Sequence, residues 1–136
     1  MADNPQVEFR AAGWSPAVAR DLTKIGDASA HDLAVFERQV RSGEWQLWEI
    51  IHGDDRLGCL IWSVEQEGES HSLIVNAAAA KPVSGVDITR AIVDAFTALA
   101  IETNARSVRC WTIREGMRRK LQKIGAKTRY VMEIEI

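Results

Sequence analysis

Three groups of residues in this sequence are of types that could do chemistry. A loop, Val83–Thr89, places serine, glycine and aspartate directly before an apolar helical stripe. A second stretch combines acids with a histidine, at Glu65, Glu67, Glu69 and His71. The third group consists of two thiols, Cys59 and Cys110. These groups point to anion binding, proton transfer and nucleophilic attack, respectively.

The loop Val83–Thr89 has two interpretations. Free backbone amides and the positive end of the helix dipole attract anions, so the loop could cradle a phosphate group. Alternatively, the loop is an ordinary helix entry in which the Asp87 side chain caps the first turn. The cap requires only this aspartate, and we favour it over the phosphate cradle.

The acidic turn supplies the candidate catalytic residues Glu67, Glu69 and His71. A carboxylate that acts as a base near neutral pH needs burial to raise its pKa. Turns usually face water, so the catalytic residues stay unassigned, with these three as candidates.

The two cysteines lie in separate apolar runs with no C-x-x-C spacing, and we expect buried, reduced thiols with structural roles. Cys110 has no nearby base in the sequence that would make it a nucleophile. The histidines His31, His52 and His71 lack the short spacings of metal sites. We therefore expect no bound metal.

Length and composition are those of one soluble domain spanning residues 1–136. The chain has 46% hydrophobic and 26% charged residues and a formal net charge of −2. It contains neither an apolar run long enough to cross a bilayer nor a signal-peptide pattern, so we expect a cytoplasmic protein without membrane contact. Seven basic residues between Arg114 and Arg129 could contact phosphates. An outer face exposed to water is the interpretation we favour, and the acidic chain disfavours nucleic acid.

Periodicity and capping signals predict ten elements. Strands are predicted at Val7–Ala11, Trp45–His52, Arg56–Gln66, His71–Ala78, Ser107–Ile113 and Lys127–Ile136. Helices are predicted between Ser15 and Gly26, Ser29 and Gly43, Asp87 and Ala105, and Arg114 and Gly125. The order β-α-α-β-β-β-α-β-α-β predicts an α+β fold with a mixed sheet, in which the strands joined by the third helix are parallel neighbours.

This order resembles the GNAT acetyltransferase superfamily over essentially the whole chain. Two segments carry the likeness: VNAAAAKPVSGVDITRAIV, which resembles the family's pyrophosphate loop and helix, and LQKIGAK, which resembles its later helix. The resemblance implies an acetyl-CoA site at Val75, Asn76, Ser84, Gly85, Val86, Asp87, Ile88 and Thr89.

The chain departs from the family pattern at chemically important positions. Ser84 stands in place of an arginine, Asp87 in place of a glycine, and Thr89 in place of a small residue. Leu121 stands in place of the tyrosine that, in the family, protonates the departing thiolate. An aspartate repels a pyrophosphate and a leucine transfers no proton, so the chemistry implied by the resemblance is degenerate.

Two functions follow as hypotheses. The first is a non-catalytic structural or interaction protein that binds a protein partner or itself, and small phage-encoded GNAT-like proteins, some found in virions, are similar in size and loop. Self-association could use the edge of the last strand, YVMEIEI. The second is an acetyl-CoA-dependent N-acetyltransferase with an atypical loop and an acceptor of unknown kind. We expect no cofactor, with acetyl-CoA as the alternative.

Overall fold

The computed structural model describes residues 7–25, 29–110, 115–128 and 134. Five strands and four helices fall within these residues. The strands are β1 (Val7–Ala11), β2 (Gln46–His52), β3 (Asp55–Glu67), β4 (Ser70–Ala80) and β5 (Ser107–Cys110). The helices are α1 (Pro16–Thr23), α2 (Ala30–Arg41), α3 (Ile88–Thr103) and α4 (Glu115–Lys123).

The strands form one mixed sheet in the order β1-β2-β3-β4-β5. The first four are antiparallel neighbours, whereas β5 follows the crossover through α3 and pairs parallel to β4. The predicted α+β fold and the predicted parallel pair are both confirmed. The predicted strand at 127–136 and residues 111–113 of the preceding one lie largely outside the described residues.

Side-chain caps fix where three helices begin. The Ser15 hydroxyl accepts the amide of Val18, and Ser29 and Asp32 form a reciprocal capping box at α2. At α3 the Asp87 carboxylate accepts the amide of Arg90. These side chains satisfy amides that have no partner inside the helix, as the sequence predicts.

Buried side chains form two clusters on opposite faces of the sheet. The cluster under α1 and α2 contains Val18, Leu22, Leu47, Cys59, Ile61 and Ala77. The cluster under α3 contains Ile50, Leu57, Leu60, Leu73, Val75 and Phe96. Trp45 packs on the first cluster and Trp48 on the second, because residues three apart in an extended chain face opposite sides of the sheet. The sheet is thus covered by helices on both faces.

The two cysteines differ in burial. Cys59 is fully buried in the cluster under α1 and α2, whereas Cys110 is exposed at the end of β5. The prediction that both thiols are buried is therefore wrong for Cys110. An apolar run identifies a strand, but it does not reveal which of its side chains other elements cover.

Gly58 permits a close approach of β3 to β4. A Cβ atom built at this position would lie 1.9 Å from the carbonyl oxygen of Ala79 and 2.7 Å from the Cα of Ala80. Backbone atoms cannot move away as a side chain can, so any other residue here must push the end of β4 out of register.

No helix within the described ranges is long and apolar enough to cross a membrane.

We predict that Gly58→Ala destabilises the fold by about 3 kcal/mol, the upper part of the range for overpacking, because the added methyl meets backbone. The matched control is Gly13→Ala, since a Cβ there contacts nothing within 4 Å. The control should change the free energy of unfolding by less than about 1 kcal/mol. Urea denaturation of both variants measures the difference, and equal stabilities would contradict the steric argument.

Candidate ligand cleft at the end of strand β4

A cleft of about 970 Å³ opens beside the last residues of β4, between α3 and α4. β4 stays paired with β3 as far as Ala80, whereas the described part of β5 pairs only with Ser72–Val75. The strand therefore continues beyond its described parallel neighbour. Its last residues, Ala77–Ala80, line the cleft and carry only methyl side chains, which leaves the space between the two helices open.

A β-bulge marks the place where the cleft begins. Asn76 falls between the register pairs Ile61–Ala77 and Trp62–Val75, so no residue of β3 lies opposite it in the register. Its side-chain amide donates to the Ser63 hydroxyl at 2.9 Å. Bulges redirect a strand and are common next to active sites. Here the bulge lies where β4 leaves the described pairing with β5.

The loop before α3 is a tight turn that requires glycine. The amide of Val86 donates to the carbonyl of Val83 at 3.1 Å, and Gly85 has a φ of 78°. A positive φ at this third position is the mark of a type II turn. Gly85 is thus explained by local geometry, whether or not the loop binds a ligand.

Asp87 neutralises the positive end of α3 from within the chain. Its carboxylate accepts a hydrogen bond from the amide of Arg90 at 3.0 Å and forms an ion pair with the Nζ of Lys120 at 2.8 Å. The Lys120 ammonium, followed by the Arg90 amide, holds the pKa of Asp87 below its usual range. The carboxylate is consequently an anion near neutral pH, at the helix end where an external anion would bind.

The structure brings most of the predicted cofactor residues to the cleft. Its lining includes Val75, Asn76, Val86, Ile88 and Thr89, whereas Ser84, Gly85 and Asp87 stand outside the lining. The Thr89 hydroxyl, in place of a small residue, lies 3.8 Å from the Sδ of Met117 and so joins α3 to α4. Whether any of these residues binds a cofactor stays a prediction.

The predicted general bases lie at the opposite end of β4 and are not brought together. The Glu67 carboxylate accepts a hydrogen bond from the Ser72 hydroxyl. Both of its oxygens also accept hydrogen bonds from Arg109 Nη2, at 2.9 and 3.0 Å. The Ser72 hydroxyl and then Arg109 hold the pKa of Glu67 below its usual range. Hydrogen bonds that favour the charged form make a carboxylate a weaker base. A structural role across β3, β4 and β5 accounts for this residue.

His71 and Glu69 do not join this network. The Nε2 atom of His71 lies 3.4 Å from the Thr103 hydroxyl of α3, and Glu69 lies exposed in the turn before β4. None of the three candidates is among the residues that line the cleft. Their catalytic role stays a prediction.

An ion-pair network at the cleft ties α1 to the sheet. Arg56 of β3 donates from Nη2 to Asp21 of α1 at 2.7 Å and from Nε to Glu49 of β2. These hydrogen bonds, with Asp21 the larger contributor, raise the pKa of Arg56. Burial, followed by the negative charge of Asp21, raises the pKa of the neighbouring Cys59 thiol to about 12. Cys59 is therefore an inert thiol in the folded protein.

Several residues of the cleft could not be recognised from the sequence. The additional lining residues include Asp21, Lys24, Asp32, Phe36, Lys81, Ile92, Met117 and Ile124. They come from five separate parts of the chain. The run of four alanines after Asn76 is a signal that could have indicated open space, because it leaves the end of a buried strand without large side chains.

Within the described ranges, no three histidine, cysteine, aspartate or glutamate side chains are grouped closely enough to hold a metal ion.

Comparisons with known proteins reveal similarity in structure but not in sequence. No protein-family profile matches the chain, and no curated protein sequence matches it. A protein assigned to the GNAT family of acetyltransferases from Desulfovibrio desulfuricans matches with a TM-score of 0.73 at 18% identity, over 94% of this chain and 89% of that one.

Two further solved structures give the same result. The ribosomal-protein-alanine N-acetyltransferase of Brucella melitensis biovar Abortus 2308 matches with a TM-score of 0.70 at 13% identity, over 96% of this chain and 99% of its own. A protein of Clostridium acetobutylicum assigned as an acetyltransferase, solved with acetyl-CoA, has a TM-score of 0.61 at 12% identity, over 96% of both chains. At these identities the likeness establishes the fold, and it confirms the predicted GNAT-like fold.

The Asp87–Lys120 pair should make the free energy of unfolding depend on pH in the acidic range. A carboxyl group whose pKa is lowered by folding stabilises the fold above its unfolded pKa of about 3.9, and loses that contribution as the pH falls through the folded pKa. Asp87→Asn keeps an oxygen for the Arg90 amide but removes the charge. We expect it to cost about 0.5–1 kcal/mol at pH 7 and almost nothing at pH 2.

Urea denaturation at several pH values measures this difference. The matched control is Asp54→Asn, which removes the same charge from the exposed turn between β2 and β3. A deficit of Asp87→Asn that stays constant from pH 7 to pH 2 would show that the ion pair contributes nothing.

The two thiols should differ in reactivity. Cys110 is exposed, but partial desolvation of its thiol raises its pKa. Its reaction with a disulfide reagent should therefore be slow at pH 7 and accelerate about tenfold per pH unit. Cys59 should react only after unfolding. Cys110→Ser should abolish the reaction of the folded protein, and a thiol that still titrates in that variant would contradict the burial of Cys59.

Proposed function

We propose that this chain, which has the GNAT fold, is a non-catalytic binding protein that keeps the family's cleft without its acetyl-transfer chemistry. The observation that carries the proposal is the Asp87 carboxylate at the N-terminus of α3, paired with Lys120. The proposal goes beyond the fold, which alone does not determine function.

The charge at the start of α3 argues against a diphosphate ligand. A diphosphate that approached these amides would meet a carboxylate already bonded to one of them. It would also have to compete with that carboxylate for the ammonium of Lys120, which lies 2.8 Å away. The Asp87 carboxylate and a diphosphate carry like charges and repel each other. The α3 N-terminus is therefore closed to the group that CoA would place there.

Among the described residues, neither the predicted acid position nor the predicted bases place a proton-transfer group in the cleft. Leu121, at the position that resembles the family's tyrosine, lines the cleft and has no ionisable proton. Glu67 is held as an anion by Arg109 at the far end of β4. Acetyl transfer to an amine needs a base for the amine and an acid for the departing thiolate. The described residues offer neither in the place where the resemblance would put it.

A second candidate function is an acetyl-CoA-dependent N-acetyltransferase. The size of the cleft and the bulge at Asn76 favour it, and a structural neighbour was solved with acetyl-CoA. Under this alternative the Asp87–Lys120 pair opens when the cofactor binds. A role of the non-catalytic protein as an interaction module, in a virion or elsewhere, stays a prediction from the sequence.

Acetyl-CoA binding separates the two functions. We expect no saturable rise in melting temperature for the native sequence at millimolar acetyl-CoA, because a ligand that binds only the folded state must raise it. Asp87→Ser keeps a hydroxyl cap, removes the negative charge and releases Lys120, so this variant should gain measurable affinity. The matched control, Asp94→Ser, removes the same charge about two turns further along α3 and should not gain affinity.

Each outcome decides between the functions. Saturable binding by the native sequence, with release of thiol when a mixture of primary amines is added, would overturn the proposal in favour of the acetyltransferase. Failure of both the native sequence and Asp87→Ser to bind would show that the carboxylate is not what closes the cleft.

A further inference from the structure

Two exposed lysines of the cleft, Lys24 and Lys81, have no charged partner among the described residues. The other charged lining residues are already satisfied: Asp21 pairs with Arg56, Arg109 with Glu67, Lys120 with Asp87, and Asp32 with the amide of Ser29. The side chains of Lys24 and Lys81 form neither an ion pair nor a hydrogen bond with any described residue. The cleft therefore carries two positive charges that nothing in the described chain neutralises.

Most of the remaining lining is apolar. α3 contributes Ile88 and Ile92, α4 and the turn after it contribute Met117, Leu121 and Ile124, and β4 contributes the methyl groups of Ala77–Ala80. The volume of about 970 Å³ lies at the upper end of the range for pockets that bury a drug-sized ligand, roughly 300–1,000 Å³. This space greatly exceeds the needs of an acetyl group, and its surface suits a hydrocarbon chain.

Lys81 lies where the apolar surface formed by the end of β4 stops. Lys81 directly follows Ala80, and its amide donates to the carbonyl of Leu57 at 2.9 Å, which fixes the backbone at this point. A hydrocarbon chain that lies along Ala77–Ala80 thus reaches Lys81, which also lines the cleft. Lys24, at the C-terminal end of α1, supplies the second unpaired charge in the same cleft.

We propose that the cleft binds a medium-chain fatty acid, with its hydrocarbon chain along Ala77–Ala80 between α3 and α4 and its carboxylate at Lys81 and Lys24. The inference rests on the proposed function, because it assigns a ligand class to the same cleft. A single carboxylate matches isolated lysines, and it does not use the α3 N-terminus that Asp87 occupies. A neutral aliphatic molecule would gain nothing from the two ammonium groups, which are exposed to water.

Calorimetric titration of the native protein with decanoate and dodecanoate, below their micellar concentrations, tests the ligand class. We expect saturable binding that tightens about threefold per added CH₂ group, as burial of hydrocarbon requires. Dodecanol, which has the same chain without the charge, should bind several-fold more weakly. Absence of dodecanoate binding, or equal binding of dodecanol, would overturn the inference.

Variants test the location. Lys81→Ala and Lys24→Ala should each weaken dodecanoate binding several-fold, whereas the matched control Lys123→Ala, on α4 outside the lining, should not. Ala78→Phe should fill the cleft and abolish binding, and Val64→Phe, on the exposed surface of β3, serves as its control. Binding that survives Ala78→Phe in a variant whose melting transition is intact places the ligand elsewhere and overturns the inference.

Acetyl-CoA included as a parallel ligand keeps this inference distinguishable from the proposed function. If dodecanoate fails to bind and acetyl-CoA also fails, the fatty-acid inference is overturned while the non-catalytic proposal stands. If acetyl-CoA binds the native protein, the proposed function is overturned whatever dodecanoate does.

Discussion

The pairing of β4 with two unequal neighbours is the constraint on which the rest of the structure depends. β3 holds β4 along its whole length, from Ser70 to Ala80, through backbone hydrogen bonds and the close approach that Gly58 allows. The described part of β5 holds only Ser72–Val75. The end of β4 is thereby fixed on one side, no described strand pairs with it on the other, and α3 and α4 complete a cleft around it.

The start of α3 shows how one substitution changes the use of a common feature. Any helix N-terminus presents free amides and partial positive charge, which either an external anion or an internal one can satisfy. Asp87 supplies the internal anion and Lys120 balances it, so this end of the helix is neutral as a unit. In the ligand site that we propose, the apolar surface and the two lysines without a described partner take the place of this helix end.

The sequence predicts the elements of the fold well because their signals are local. Ser29 with Asp32, and Asp87, each cap a helix through contacts three residues away, and alternation of apolar residues identifies the strands. The burial of Cys110 was predicted incorrectly, because the exposure of this side chain depends on which elements cover β5. Lys24 and Lys81 follow a helix and a strand, where lysines usually face water, so their shared cleft could not be predicted without the fold.

The order of the strands has a consequence for how the cleft assembles. β1 to β4 pair with their neighbours along the chain, apart from the helices α1 and α2 between β1 and β2. The pairing of Ser72 with Ser107, in contrast, closes a long loop that contains all of α3. Closing a long loop costs conformational entropy before any contact compensates for it. We therefore expect the β2–β3–β4 meander to form first during folding, and the wall of the cleft made by α3 and β5 to form late and open most readily by local unfolding.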